Sequence, residues 1–164
     1  MLLNVIRPLL EFSSPAWNPC LLRDINLLEN VQRSFTRKVC ILCNLPVACY
    51  SERLSILNLE RLELKRLRRI NLLEIFKLVH NFTVCSVRNS LQFYSYSTTR
   101  LTRGHRFKLI LSRCNKNVFK HFFSNRVLPV WNYLPDCCFN SDILSVFKRK
   151  LCAVDLNVFL HGRL

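Results

Sequence analysis

Between Leu21 and Leu42 the apolar positions keep a helical beat. Leu21, Ile25, Leu28, Gln32, Phe35, Val39 and Leu42 recur at alternating spacings of four and three, with one polar interruption. The spacing predicts one long helix from Leu21 to about Cys43, carrying a heptad-like seam. Asn18-Pro19 supplies a start, since asparagine caps and proline suits the first helical position. Asn44-Leu45-Pro46 supplies the stop. A short helix is expected from Ser51 to Leu57. A second long helix is expected from about Leu59 to His80, with two apolar stripes, Leu62/Ile70/Leu73 and Leu64/Leu67/Ile75/Leu78, that call for packing on more than one side. His80-Asn81 ends it.

From Phe82 to Asn117 the helical period disappears, and the segment reads as an irregular insertion, with a short β-hairpin left open. A helix resumes at Val118 and presents Phe119, Phe122, Phe123, Val127, Val130 and Trp131. Pro129 lacks an N–H and is expected to kink or split that helix near Asn125. Asp142 to about Val154 reads as the last helix. The fold class that results is all-α: a helical bundle of two long helices, an irregular 82–117 insertion and C-terminal helices. The 164 residues suit a single domain or domain fragment, with a helical core 1–81, a basic irregular arm 82–117 and C-terminal helices 118–164.

Composition narrows the function. There are two glycines, Gly104 and Gly162, standing apart. A phosphate loop or dinucleotide fingerprint needs several close together, so both are excluded. Lysine and arginine total 25 against 10 acids, a formal charge of +15 that favours polyanionic partners. The longest uncharged run, Val39 to Ser51, is thirteen residues, short of a membrane span. Met1 to Ile6 followed by Arg7-Pro8 lacks the basic region of a signal peptide. The nine cysteines therefore read as reduced thiols of an intracellular protein, in cytoplasm or nucleus. Cys40-x-x-Cys43 with Cys49 has no histidine nearby, and no metal or other cofactor is expected. Trp17 and Trp131 read as core anchors, and Asn125 and Arg126 as packing residues ahead of phosphate contacts.

Three blocks together resemble a known family. The first is Ile6-Arg7-Pro8-Leu9-Leu10-Glu11-Phe12, Ser14-Pro15-Ala16-Trp17-Asn18-Pro19 and Asp24 through Arg33. The second is Thr102-Arg103-Gly104-His105 with Lys108-Leu109. The third is Phe122 through Val127, Val130-Trp131-Asn132 and Leu134-Pro135, followed by Phe147-Lys148. In this order and spacing they resemble the segment C-terminal to the palm in reverse transcriptases (RNA-directed DNA polymerases) of non-LTR retrotransposons, transposable elements of the LINE and jockey kind. The resemblance implies a helical thumb or post-palm region lying beside a template–primer duplex. It does not imply catalysis by this chain. The family's Tyr-x-Asp-Asp turn follows none of Tyr50, Tyr94, Tyr96 or Tyr133. Independently, two-metal phosphoryl transfer needs clustered carboxylates, and the four aspartates at 24, 136, 142 and 155 are scattered singles. The expected product is a non-catalytic fragment whose active site would lie upstream of Met1.

Two basic features are candidate contacts for RNA or RNA–DNA duplex. On the second long helix Arg61, Lys65, Arg68 and Arg69 fall within about 100° of arc at 3.6 residues per turn, forming a ridge. On the insertion, Arg100, Arg103, His105 and Lys108 make a basic arm, with Tyr94 and Tyr96 near enough in sequence to stack on bases. The rival reading is a protein-interaction module, whose Leu21–Leu42 seam docks on a partner helix or on the missing upstream polymerase palm without binding nucleic acid.

Overall fold

The computed structural model describes residues 2–14, 16–19, 21–46, 49–83, 105–111, 113–114, 116, 119 and 121–160. Among these the secondary structure is helical, with no strand beyond an isolated bridge residue at Leu109. The helices are α1 (Leu2–Glu11), α2 (Leu22–Leu42), α3 (Tyr50–Ile56), α4 (Leu62–Lys65), α5 (Leu73–Val79), α6 (Phe123–Tyr133) and α7 (Leu144–Ala153). A π-helical stretch, Arg66–Leu72, joins α4 to α5, and 3₁₀ turns follow α6 and α7 at Asp136–Phe139 and Asn157–Phe159. The chain divides into two compact units, 1–66 with 160–164, and 67–159. The division falls inside the second long helical segment.

In the first unit α2 packs on α3 and α4. Its inward face is Ile25, Glu29, Gln32, Thr36 and Cys40, so three of five buried side chains are polar or charged. Glu29 and Gln32 take partners from α3 and from the start of α4, and the Thr36 hydroxyl donates within α2 to Arg33 O at 3.0 Å. The Tyr50 hydroxyl donates to Glu29 Oε1, and Gln32 Nε2 donates to Tyr50 Oη at 3.1 Å and to the Glu60 carbonyl at 3.0 Å. Glu29 Oε1 also accepts the Leu62 N–H at 3.3 Å, a donor that the first turn of α4 leaves unpaired. Burial, and then the Glu29 carboxylate, push the Tyr50 phenol well above its usual range. Of the expected seam, Ile25 and Gln32 are buried, Leu28, Phe35 and Val39 are half-buried, and Leu21 and Leu42 are exposed. The seam is thus fully covered inside the unit only at Ile25 and Gln32.

Three helices stop in the same way. After α2, Asn44 has φ 51°, with Leu45 N–H on Cys40 O at 2.8 Å and Asn44 N–H on Ile41 O at 3.2 Å. After α3, Asn58 has φ 49°, with Leu59 N–H on Leu54 O at 2.8 Å and Asn58 N–H on Ser55 O at 3.1 Å. After α5, Asn81 has φ 63° and Phe82 N–H reaches Lys77 O at 2.9 Å. These are Schellman endings, whose left-handed residue is usually glycine. In a chain with two glycines, asparagine takes that place.

The second unit is built on stacked aromatic rings. Trp131, Phe147 and Phe76 are fully buried, Phe139 nearly so. Phe76 stacks on Phe147 at 4.3 Å between centroids, and Trp131 meets Phe139 edge-on at 4.9 Å. α5 and the turn Asp136–Phe139 pack on α7, whose buried residues are Phe147 and Leu151.

Several expectations are corrected. α2 starts at Leu22 with Leu21 as its cap and no side-chain cap bond, so Asn18 does not cap it. α1 was not expected, and it runs through Pro8. α6 runs through Pro129 without a break, from Phe123; residue 118 lies outside the described residues. Proline there sits on the exposed side, where its missing N–H leaves only the Asn125 carbonyl without its helical donor. Trp131 is the core anchor expected, but Trp17 is 42% exposed. Its indole N–H donates to Phe12 O at 2.7 Å, and the Arg66 guanidinium lies 4.4 Å from its ring.

Candidate nucleic-acid interface

Three of the ridge residues, Arg61, Lys65 and Arg68, are drawn into the fold. Lys65 Nζ pairs with Glu11 Oε1 at 2.6 Å and so ties α4 to α1, where Arg7 Nε lies 3.4 Å from the same oxygen. Arg61 pairs with Glu63 at 3.7 Å. Arg68 donates to the Val154 carbonyl at 2.9 Å. The Arg69 side chain lies outside the described residues. The 100° arc also presupposed 3.6 residues per turn, whereas residues 66–72 follow the wider π winding with i→i+5 bonds. Residues 66–72 therefore leave the α-helical register on which the expected ridge rests. Arg66, which the ridge omitted, is buried: Nε donates to Ser14 Oγ and an Nη to Trp17 O, each at 3.2 Å.

Of the arm, Arg100 and Arg103 lie outside the described residues, as do Tyr94 and Tyr96. His105 is a correction. It is 2% exposed, stacked on Phe139 at 4.0 Å, with Nε2 3.1 Å from the Trp131 carbonyl. That carbonyl can only accept, so Nε2 carries the proton. Burial holds the imidazole pKa below its usual value, partly offset by the Trp131 carbonyl. A neutral ring inside an aromatic core cannot meet a phosphate. Lys108 is half-buried and engaged within the fold.

What holds His105–Leu109 in place is α6. Trp131 Nε1 donates to Phe107 O at 2.8 Å, and the Asn132 amide pairs with both main-chain groups of Leu109. Arg106 points outward from this anchored stretch, 4.0 Å from Asp142, which also lies 3.4 Å from His80 Nδ1. Asn125 and Arg126 behave as packing residues: Asn125 Nδ2 donates to Phe119 O at 2.6 Å, and Arg126 is half-buried and engaged.

Among the described residues of the second unit, an exposed cationic stretch lies on α7. This helix carries Lys148, Arg149 and Lys150 and no acid. Lys150 is turned to the Cys137 carbonyl at 2.7 Å, while Lys148 and Arg149 are exposed. With Ser145 and Cys152 they occupy one helix face at i, i+3, i+4 and i+7. The sequence signal was present: a basic run interrupting the Phe147/Leu151 apolar pair marks an amphipathic basic helix. In the first unit Arg23, Arg37 and Lys38 of α2 are exposed.

Among the described residues no group of histidine, cysteine, aspartate and glutamate could hold a metal ion. The neighbouring thiols Cys137 and Cys138 differ: burial pushes Cys138 up to about 11, while Cys137 is exposed. Among the same residues no helix is long and apolar enough to cross a membrane. No family model, no curated protein and no solved structure matches the chain.

Proposed function

We propose that the chain is a non-catalytic, helical C-terminal fragment of a retrotransposon-type reverse transcriptase that binds RNA or RNA–DNA duplex through phosphate contacts. The carrying observation is the acid-free face of α7, where Lys148 and Arg149 stand exposed on a helix fixed by a buried aromatic core. The charge of +15 and the three sequence blocks support the same reading. Of the two basic features first singled out, the arm is retained through Arg100 and Arg103. The ridge is set aside as an anchor, because Lys65 and Arg61 are paired with Glu11 and Glu63.

The test is salt dependence of binding to duplexes of unrelated sequence. Each phosphate contact contributes roughly −0.9 to the slope of log affinity against log salt on B-DNA. Lys148→Glu with Arg149→Glu is expected to flatten that slope by about 2 and to weaken all sequences alike. Lys65→Gln is expected to lower stability and leave the slope unchanged. A slope insensitive to the α7 pair, with helical content intact, removes α7 as the interface. Templated primer extension by the homogeneous chain would refute the non-catalytic reading.

A further inference from the structure

α2 is apolar over a wider arc than the first unit covers. At 3.6 residues per turn, Asp24, Leu27, Val31, Phe35 and Lys38 fall within about 80° of arc, centred about 140° from the buried Ile25–Cys40 face. Leu27 is 56% and Val31 40% exposed, Phe35 is half-buried, and Asp24 and Lys38 are exposed. Leu42, 81% exposed, continues the stripe at its C-terminal end. Neither Asp24 nor Lys38 makes an ion pair among the described residues.

We propose that this stripe pairs with the same stripe of a second copy of the chain, antiparallel, about a two-fold axis at Val31. The placement of charge selects that occupant and that direction. Leu27 and Phe35 each stand four residues from Val31, and Asp24 and Lys38 each stand seven. Antiparallel pairing sets Val31 against its copy, each Leu27 against the other copy's Phe35, and each Asp24 against the other copy's Lys38. A parallel pair would oppose Asp24 to Asp24 and Lys38 to Lys38, and like charges facing one another are unfavourable. The surface is self-complementary, as a two-fold interface requires. One helix pair buries little area, so the association is weak and concentration-dependent.

The experiment is sedimentation velocity of the full chain, under reducing conditions, from low micromolar to several hundred micromolar. The unmodified chain is expected to pass from monomer to dimer across that range. Asp24→Lys and Lys38→Asp are each expected to weaken the dimer by roughly tenfold. The double variant is expected to restore it to within about threefold. Asp24 sits in the first turn of α2, where an acid favours the helix and a lysine does not. An effect acting only through helix stability therefore makes the double variant the weakest, and antiparallel pairing makes it stronger than either single one. Circular dichroism on all four chains confirms that α2 is intact. A monomer at every concentration, as expected if the stripe receives some other protein, overturns the proposal. So does a dimer indifferent to the single changes, or a double variant no better than them.

Discussion

The side-chain amide of Asn132 treats Leu109 as a strand would. Its Oδ1 accepts the Leu109 N–H at 3.0 Å, and its Nδ2 donates back to the Leu109 carbonyl at 2.8 Å. Leu109 is fully buried, so neither main-chain group has water as a ready substitute. A single residue of α6 thereby supplies what an edge strand would supply, and the stretch from His105 onward is held without a sheet.

Asn132→Ala leaves two main-chain groups of a buried residue unpaired, and is expected to cost roughly 2–6 kcal/mol at about 1–3 kcal/mol per orphaned group. Asn132→Asp keeps the acceptor but turns a second oxygen on the Leu109 carbonyl, and is expected to cost at least as much as the alanine change. Urea unfolding measures both, and amide exchange at Leu109 reports whether the loss is local.

The left-handed asparagines provide a second measurement. Asn44→Gly, Asn58→Gly and Asn81→Gly are expected to be neutral or to stabilise by up to roughly 1 kcal/mol, since glycine meets no Cβ penalty at positive φ. The corresponding alanine changes are expected to destabilise by about 1 kcal/mol each. Thermal unfolding of the six variants checks the order. An alanine variant as stable as its glycine counterpart contradicts the role given to these positions.

Stability is also expected to depend on pH through His80 and His105. Burial lowers both below the usual 6.5, with Asp142 partly opposing the shift at His80. A depressed histidine binds fewer protons folded than unfolded, so stability rises with pH through that interval. It is fully present above about 6.5 and is lost as pH falls toward the folded values. The urea midpoint should therefore drop between pH 7 and pH 5. His105→Gln, which keeps a donor for the Trp131 carbonyl, should reduce that drop even if it lowers the midpoint overall.

The helices that the sequence displays openly are those with a strong 3.6-residue period and an asparagine stop. α2 and α3 fall within one residue of their expected bounds for this reason. α7 starts two residues later than expected, at Leu144. The π stretch was not legible, because Leu62, Leu64, Leu67 and Ile70 fit an α-helical stripe as readily as they fit the wider winding actually used. α1 was not expected from the sequence, whose first residues were weighed only as a signal peptide. The burial of His105 was not legible for a different reason. Counting cations overlooks the Phe107 and Leu109 beside it, and those apolar side chains carry the histidine into the core. The partner of Lys65 was not legible because it is distant in sequence: Glu11 meets Lys65 only once α1 is folded back. Lys148 and Arg149 were readable as a run, but their exposure depends on how α7 is turned by Phe147 and Leu151.

The asparagine stops bear on how the folded chain meets a protease. Cleavage needs a length of main chain that can be drawn out straight into another protein's cleft. At the joint between α3 and α4 the Asn58 and Leu59 amides are both tied back to carbonyls of the last turn, so the chain reverses within a closed ring. That joint is exposed at Asn58 and yet presents no straight strand. A nick there has to wait for α3 to unwind, and its rate becomes a clock for the opening of the first unit.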